Sequence, residues 1–197
     1  MTLLRVFIAL EIPLPIRQAI SAQTESLRST LGQIVRWVPI ENMHLTLKFI
    51  GDISPANVDM FSQMLTAEAA RARSASCAPF RMQVGELGSF PTPRRARVIW
   101  IGIQAPAALD SLQHGIESAA ARLGYEPETR PFSPHLTIGR VRQPVNTRDQ
   151  QRVRAALERT QVGALGAAEI SAVHLFKSDL QPTGSIYTRL FSAPLKP

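Results

Sequence analysis

The chain has 197 residues, 45% of them hydrophobic, with a formal charge of +7 and one cysteine, Cys77. That length suits a single domain, or two small fused lobes, with a real core. No apolar run reaches the roughly 20 residues of a membrane span, and a lone cysteine excludes an internal disulfide. Of the 22 Lys and Arg residues only Lys48, Lys177 and Lys196 are lysine. Arginine's planar fork of donors matches phosphate, so the charge fits a phosphate-bearing partner as well as plain solubility.

Leu3 to Glu11 reads as a central strand. Arg5 interrupts it and Glu11 follows it, with no small-residue cleavage site, so it does not read as a signal peptide; the cytoplasm is the expected compartment. Pro13 and Pro15 open a helix with Ile16, Ile20, Leu27 and Leu31 at helical spacing, and Gly32 ends it. A short extended stretch, Ile34 to Pro39, precedes a strand that starts at His44. Gly51 to Pro55 reads as a turn with Ser54 as cap, followed by a helix striped by Val58, Phe61, Leu65 and Ala69. Cys77 lies in a loop with no histidine nearby in sequence and is not read as a nucleophile.

Phe80 to Leu87 and Arg97 to Ile103 read as paired strands, joined by a loop from Gly88 to Arg95. Pro106 opens a helix carrying Leu109, Leu112, Ile116, Ala119 and Leu123 on one face, and Gly124 ends it. An extended segment from Tyr125 to Pro134 feeds a strand that starts at His135. Thr147 to Thr160 reads as an arginine-rich helix and Gly163 to Ala168 as a small-residue connection. Glu169 to Phe176 and Ser185 to Phe191 read as a hairpin with its turn at Gln181 to Gly184. The order is βαβαββαβαββ, with no linker, so residues 1–197 are expected to form one domain.

One stretch occurs twice. His44-Leu45-Thr46-Leu47 and His135-Leu136-Thr137-Ile138 share a pattern of histidine, aliphatic, threonine, aliphatic. Side chains of a strand alternate faces. Leu45 and Leu47 then point inward, while His44, Thr46 and Lys48 share the other face. Likewise Leu136 and Ile138 point inward while His135 and Thr137 face out. The repeat suggests a duplicated lobe with two sheets across a groove, which brings His44 and His135 to opposite walls. His114, on a helix between core positions, and His174, within a strand, read as structural.

Imidazole titrates near neutral pH, so one ring can act as base while its twin acts as acid on either side of a phosphorus atom. Each threonine hydroxyl can donate to a non-bridging oxygen. This needs no metal, and neither a metal-ligand spacing nor a Gly-x-Ser-x-Gly elbow is present.

The chain resembles the two-histidine (2H) phosphoesterases, and within them the RNA 2′,3′-cyclic phosphodiesterases once named 2′-5′ RNA ligases. The resemblance runs from Arg5-Val6-Phe7-Ile8-Ala9-Leu10 through Arg36-Trp37-Val38-Pro39 and Glu41-Asn42-Met43-His44-Leu45-Thr46-Leu47-Lys48-Phe49-Ile50-Gly51. It continues through Phe90-Pro91, Val98-Ile99-Trp100-Ile101-Gly102, Pro134-His135-Leu136-Thr137-Ile138-Gly139-Arg140-Val141 and Gly184-Ser185-Ile186-Tyr187. It implies an α+β fold of two pseudo-symmetric lobes, each an antiparallel sheet with helices on its outer face, facing each other across a cleft. It implies His44 as proton donor to the departing 3′ oxygen and His135 as proton acceptor from water. Thr46 and Thr137 would hold the phosphate, and Phe49 and Arg140 the nucleobase. Strict alternation puts Phe49 and Arg140 on the wrong face, so each strand must end or twist there.

The implied reaction is metal-independent and cofactor-free. It hydrolyses the 2′,3′-cyclic phosphate end of an RNA, tRNA fragments among them, to a 2′-phosphate, with reversible 2′-5′ ligation as a minor activity of a monomer. The competing readings are a cyclic phosphodiesterase of small nucleotides and a non-catalytic RNA-binding module.

Overall fold

The computed structural model of the chain describes residues 2–75, 79–181 and 184–195. Its strands are β1 (Leu4–Glu11), β2 (Val35–Trp37), β3 (His44–Ile53), β4 (Phe80–Phe90), β5 (Val98–Gln104), β6 (His135–Val141), β7 (Ala164–Ile170), β8 (Ala172–Gln181) and β9 (Gly184–Pro194). The helices are α1 (Leu14–Gln23), α2 (Glu25–Leu31), α3 (Val58–Ser74), α4 (Ala107–Arg122) and α5 (Thr147–Arg159). Cys77 and the centre of the turn at Gln181 to Gly184 lie outside the described residues.

These strands join one antiparallel sheet in the order β7-β4-β5-β6-β3-β1-β8-β9, with β2 beside β6. Read outward from the middle, the order is a palindrome: β6 mirrors β3, β5 mirrors β1, β4 mirrors β8 and β7 mirrors β9. The two histidine strands meet at the centre through a single pairing, Leu45 opposite Leu136. Both leucines are buried, at 1% and 0% exposure, so truncating either costs about 2–5 kcal/mol.

The result is an α+β fold of two pseudo-symmetric lobes. Their composition differs from a simple cut of the chain. β4, from the first half, pairs with β5, and β8, from the second half, pairs with β1. The first half therefore lends β4 to the lobe of β6, and the second lends the hairpin of β8 and β9 to the lobe of β3. Helices α3 and α4 pack on each other and against β3, β8 and β9, while α1 packs against β7 and α2 against α5. Central position explains β1: Val6, Ile8 and Leu10 enter the main core under the helices, and Phe7 and Ala9 are buried on the other face with Phe176.

Several local expectations change, and β4 runs on to Phe90, paired with β5, where a loop is expected from Gly88. The first helix is two, because Thr24 interrupts it with φ −102° and ψ 6°. Its buried hydroxyl donates to the Ile20 carbonyl at 2.8 Å, a back-bond that bends helices. Residues 164–170 form a strand rather than a connection: β4 offers them an open edge from Phe80 to Gly85, and that pairing overrides the weak strand propensity of Ala and Gly. Gly51 to Ile53 continue β3, opposite Leu4 to Val6, instead of turning.

Candidate active site

β3 begins with the expected alternation: Leu45 and Leu47 are buried, and His44 and Thr46 face the cleft. Pairing with β1 then slips. Ala9 lies opposite Thr46 and Ile8 opposite Lys48, so Leu47 is an extra residue, a β-bulge. The bulge resets the phase. Leu47 and Lys48 are both interior, at 3% and 5% exposure, and Phe49 returns to the histidine face, 65% exposed. Lys48 therefore does not share the face of His44; its ammonium is buried against Glu117 of α4 at 2.5 Å and the Glu126 carbonyl at 2.9 Å.

β6 repeats the device. Trp100 lies opposite Thr137 and Ile99 opposite Gly139, leaving Ile138 as the extra residue. Ile138 and Gly139 are buried, and Arg140 emerges, exposed, on the face of His135 and Thr137. Gly139 is required here, since a Cβ would come within 2.7 Å of Val35 and 2.9 Å of Trp37. The bulge just after the threonine in each strand is thus what carries Phe49 and Arg140 to the cleft side.

The Leu45–Leu136 pairing aligns the four central side chains. Extending that register by one residue sets His44 opposite Thr137 and Thr46 opposite His135, all on the face opposite the two leucines. Each imidazole is held alike. Nδ1 of His44 lies 2.8 Å from the Asn42 carbonyl oxygen, and Nδ1 of His135 lies 2.7 Å from that of Ser133. A carbonyl only accepts, so Nδ1 carries the proton and Nε2 of each neutral ring keeps its lone pair.

The rings feel each other. Burial pushes His44 down to about 4; the bond to Asn42 opposes this, and the charges of Arg140 and His135 add to it. His135 is lowered too, by burial first and then by Arg140, against its bond to Ser133. An anion between the rings supplies the opposite field and favours a proton on one of them.

Aromatic side chains brace both rings. Phe7 and Tyr187 sit 4.9 and 5.1 Å from His44, centroid to centroid, Tyr187 edge-on. Phe90, edge-on, and Trp100 sit 4.9 and 6.3 Å from His135. Trp100 fits because residue 88 is glycine: a Cβ there would stand 2.2 Å from its ring. Asn42 also donates to the Ser185 carbonyl at 2.9 Å, tying β9 to the turn that holds His44. Beside His44 opens a cavity of about 270 Å³, bordered by Phe7, Glu11, Arg17, Tyr187 and Arg189. Sequence reasoning assigns these aromatics no role. Alternation along the strand brings Phe7 and Trp100 to the cleft, but Phe90 and Tyr187 reach it only through register shifts at Glu86 of β4 and Leu190 of β9.

The other two histidines stay apart. His114 is exposed on α4. His174 is 6% exposed, pairs through Nδ1 with the Ser192 hydroxyl at 2.8 Å and lies 3.9 Å from Glu11, which pairs with Arg189. Among the described residues no three His, Cys, Asp or Glu side chains gather as ligands for one ion, and no helix is long and apolar enough to cross a membrane. Two Nε2 atoms on one face, with a hydroxyl beside each, form an arrangement whose chemistry suits acid–base work, with donors available for the oxygens of a phosphate.

The family description "LigT like Phosphoesterase" matches the chain twice, over residues 10–100 and 101–187. The RNA 2′,3′-cyclic phosphodiesterase of Methanothermobacter thermautotrophicus is 33% identical over 184 residues, 93% of this chain and 95% of that protein. Among solved structures, TT0787 of Thermus thermophilus superposes with a TM-score of 0.74 at 25% identity, covering 97% of each chain. Escherichia coli LigT complexed with 3′-AMP gives a TM-score of 0.65 at 25% identity over 100% of both chains.

Proposed function

The chain belongs to the LigT-like phosphoesterase family, and on that footing we propose that it hydrolyses the 2′,3′-cyclic phosphate end of RNA to a 2′-phosphate without a metal. The observation that carries this reading is the matched pair of imidazoles, each fixed through Nδ1 by the carbonyl two residues before it. The names of the relatives and the nucleotide bound by Escherichia coli LigT support a ribonucleotide end as the occupant of the cleft.

In this mechanism Nε2 of His135 takes a proton from water as its oxygen attacks phosphorus. The bond from phosphorus to the 3′ oxygen breaks opposite the attack, and Nε2 of His44 gives that oxygen its proton. The products are a 2′-phosphomonoester and a free 3′-hydroxyl, and solvent returns the protons. Thr46 and Thr137 donate to the non-bridging oxygens, where charge accumulates. Phe49 and Arg140, brought to the cleft by the bulges, offer a ring and a guanidinium plane to the nucleobase. The negative cyclic phosphate favours the protonated His44 that the free protein resists. When the 5′-hydroxyl of a second RNA takes the place of water, the same steps form a 2′-5′ linkage, as the minor reaction.

The test is an oligoribonucleotide with a 2′,3′-cyclic phosphate end, incubated with the protein in EDTA. The expected product carries only a 2′-phosphate, and His44→Ala and His135→Ala each lower the rate by about 10²–10⁴-fold. No turnover in EDTA that added metal restores would overturn the metal-free reading. A 3′-phosphate product would reverse the bond that breaks.

A further inference from the structure

Arginines are distributed unevenly between partners. Six elsewhere on the surface are matched with acids: Arg71 and Arg122 with Glu68, Arg130 with Glu128, Arg152 with Asp149, Arg154 with Glu158 and Arg189 with Glu11. At the far end of β6 they are not. Arg36, Arg94, Arg95, Arg97, Arg140 and Arg142 are all exposed, and among the described residues none has an acidic partner.

Backbone pairing holds these six together. Arg36 of β2 lies directly opposite Arg140 of β6, with Val98 of β5 on the other side. The Arg97 carbonyl accepts from the Val141 amide at 3.0 Å, and the Arg142 amide donates to the Ile34 carbonyl at 2.9 Å. Arg94 and Arg95 sit on the 3-10 turn that leads into β5.

Like charges directly opposite on a sheet repel, with Cβ atoms about 5 Å apart, and a bound anion removes that repulsion. Paired residues share a face, so Arg36 stands on the same side as Arg140, whose charge reaches both imidazoles. The row therefore begins at the cleft and leads away from it. A cation track continuous with a phosphate-cleaving site suits the backbone of a strand that extends beyond its terminal nucleotide.

Building on the proposed reaction, we infer that Arg36, beside Arg140, binds a backbone phosphate upstream of the cyclic end. It thereby sets a preference for polynucleotide over mononucleotide substrates. Arg36 is a specificity residue, remote from the reacting atoms.

The experiment compares a nucleoside 2′,3′-cyclic phosphate with an octaribonucleotide bearing the same end, across a salt series, for the wild-type protein and Arg36→Gln. The substitution should lower kcat/KM for the octamer about tenfold at low salt, through KM. It should reduce the log–log salt slope by about 0.7 and leave the mononucleotide rate unchanged. Equal losses on both substrates, or no loss on the octamer, would overturn the inference. A wild-type protein that cleaves neither substrate would refute the reaction proposed above. Anisotropy of the labelled octamer then still decides Arg36, since equal affinity of wild type and variant removes the track.

Discussion

Lys48 tests the bulge in β3. Strict alternation sets its ammonium beside His44, whereas the structure buries it on the other side of the sheet, its side chain 3% exposed, against Glu117 at 15%. Glu117 serves as a hub: one oxygen also accepts from the Glu128 amide at 2.8 Å, and the other from Gln113 at 3.4 Å. Removing one partner of such a pair leaves an uncompensated buried charge and costs about 3–5 kcal/mol, a large share of the roughly 5–15 kcal/mol that holds a domain together. Glu117→Ala strands an ammonium that keeps only the Glu126 carbonyl, so it should show the full loss. Lys48→Met should lose less, because Glu117 retains its two other donors. Lys48→Met with Glu117→Leu removes both charges and should recover most of the stability. Urea unfolding midpoints at constant m-value read these differences. Turnover by the double variant should stay within about threefold of wild type, since neither side chain faces the cleft. A double variant as stable as wild type yet slowed a hundredfold would return Lys48 to the histidine face. A Glu117→Ala loss below about 1 kcal/mol would show that the pair is solvated.

Two further outcomes follow from the cleft. Between pH 6.5 and about 4 the unfolded chain takes up a proton that folded His44 resists, so stability falls as pH drops through that window. The share due to His44 is at most about 3 kcal/mol. His44→Gln should flatten the fall in urea midpoint between pH 7 and pH 4.5, and an unchanged slope would refute the burial of that ring. Gly88→Ala puts a methyl 2.2 Å from the Trp100 ring. It should cost about 1–3 kcal/mol in urea and slow turnover through the displaced wall of His135, whereas wild-type values for both would refute that packing.

The sequence makes the centre of the cleft legible and its edges much less so, for a physical reason. Each His-x-Thr-x stretch carries its own alternation, so four side chains can be placed on one face without knowing any partner strand. Phe49 and Arg140 sit five residues past their histidines, an odd step that alternation sends inward. Only the slipped pairing with β1 and β5 turns them out, and those partners lie tens of residues away in sequence. The same unseen slip misplaces Lys48. β7 is illegible because its alanines and its glycine acquire strand structure from the edge of β4. The β4–β5 pairing is legible from their adjacency in sequence, but the placement of the β8–β9 hairpin beside β1 is hidden, since other pairings satisfy the same hydrophobic pattern. Each hidden feature depends on which strands meet, a non-local choice.

The same reasoning gives the bulges a purpose beyond local irregularity. With the Leu45–Leu136 contact on the approximate twofold axis, whatever one strand does after its threonine the other must match to keep a symmetric cleft. Were β3 to pair with β1 residue for residue, with Leu47 taking a partner of its own, simple alternation would turn Lys48 toward the cleft and Phe49 into the core while β6 stayed bulged. One wall would then lose its exposed ring and gain an ammonium beside His44, and the other would keep Arg140. The repeated bulge is therefore as much a part of the duplicated motif as the histidine and the threonine, although no residue type announces it.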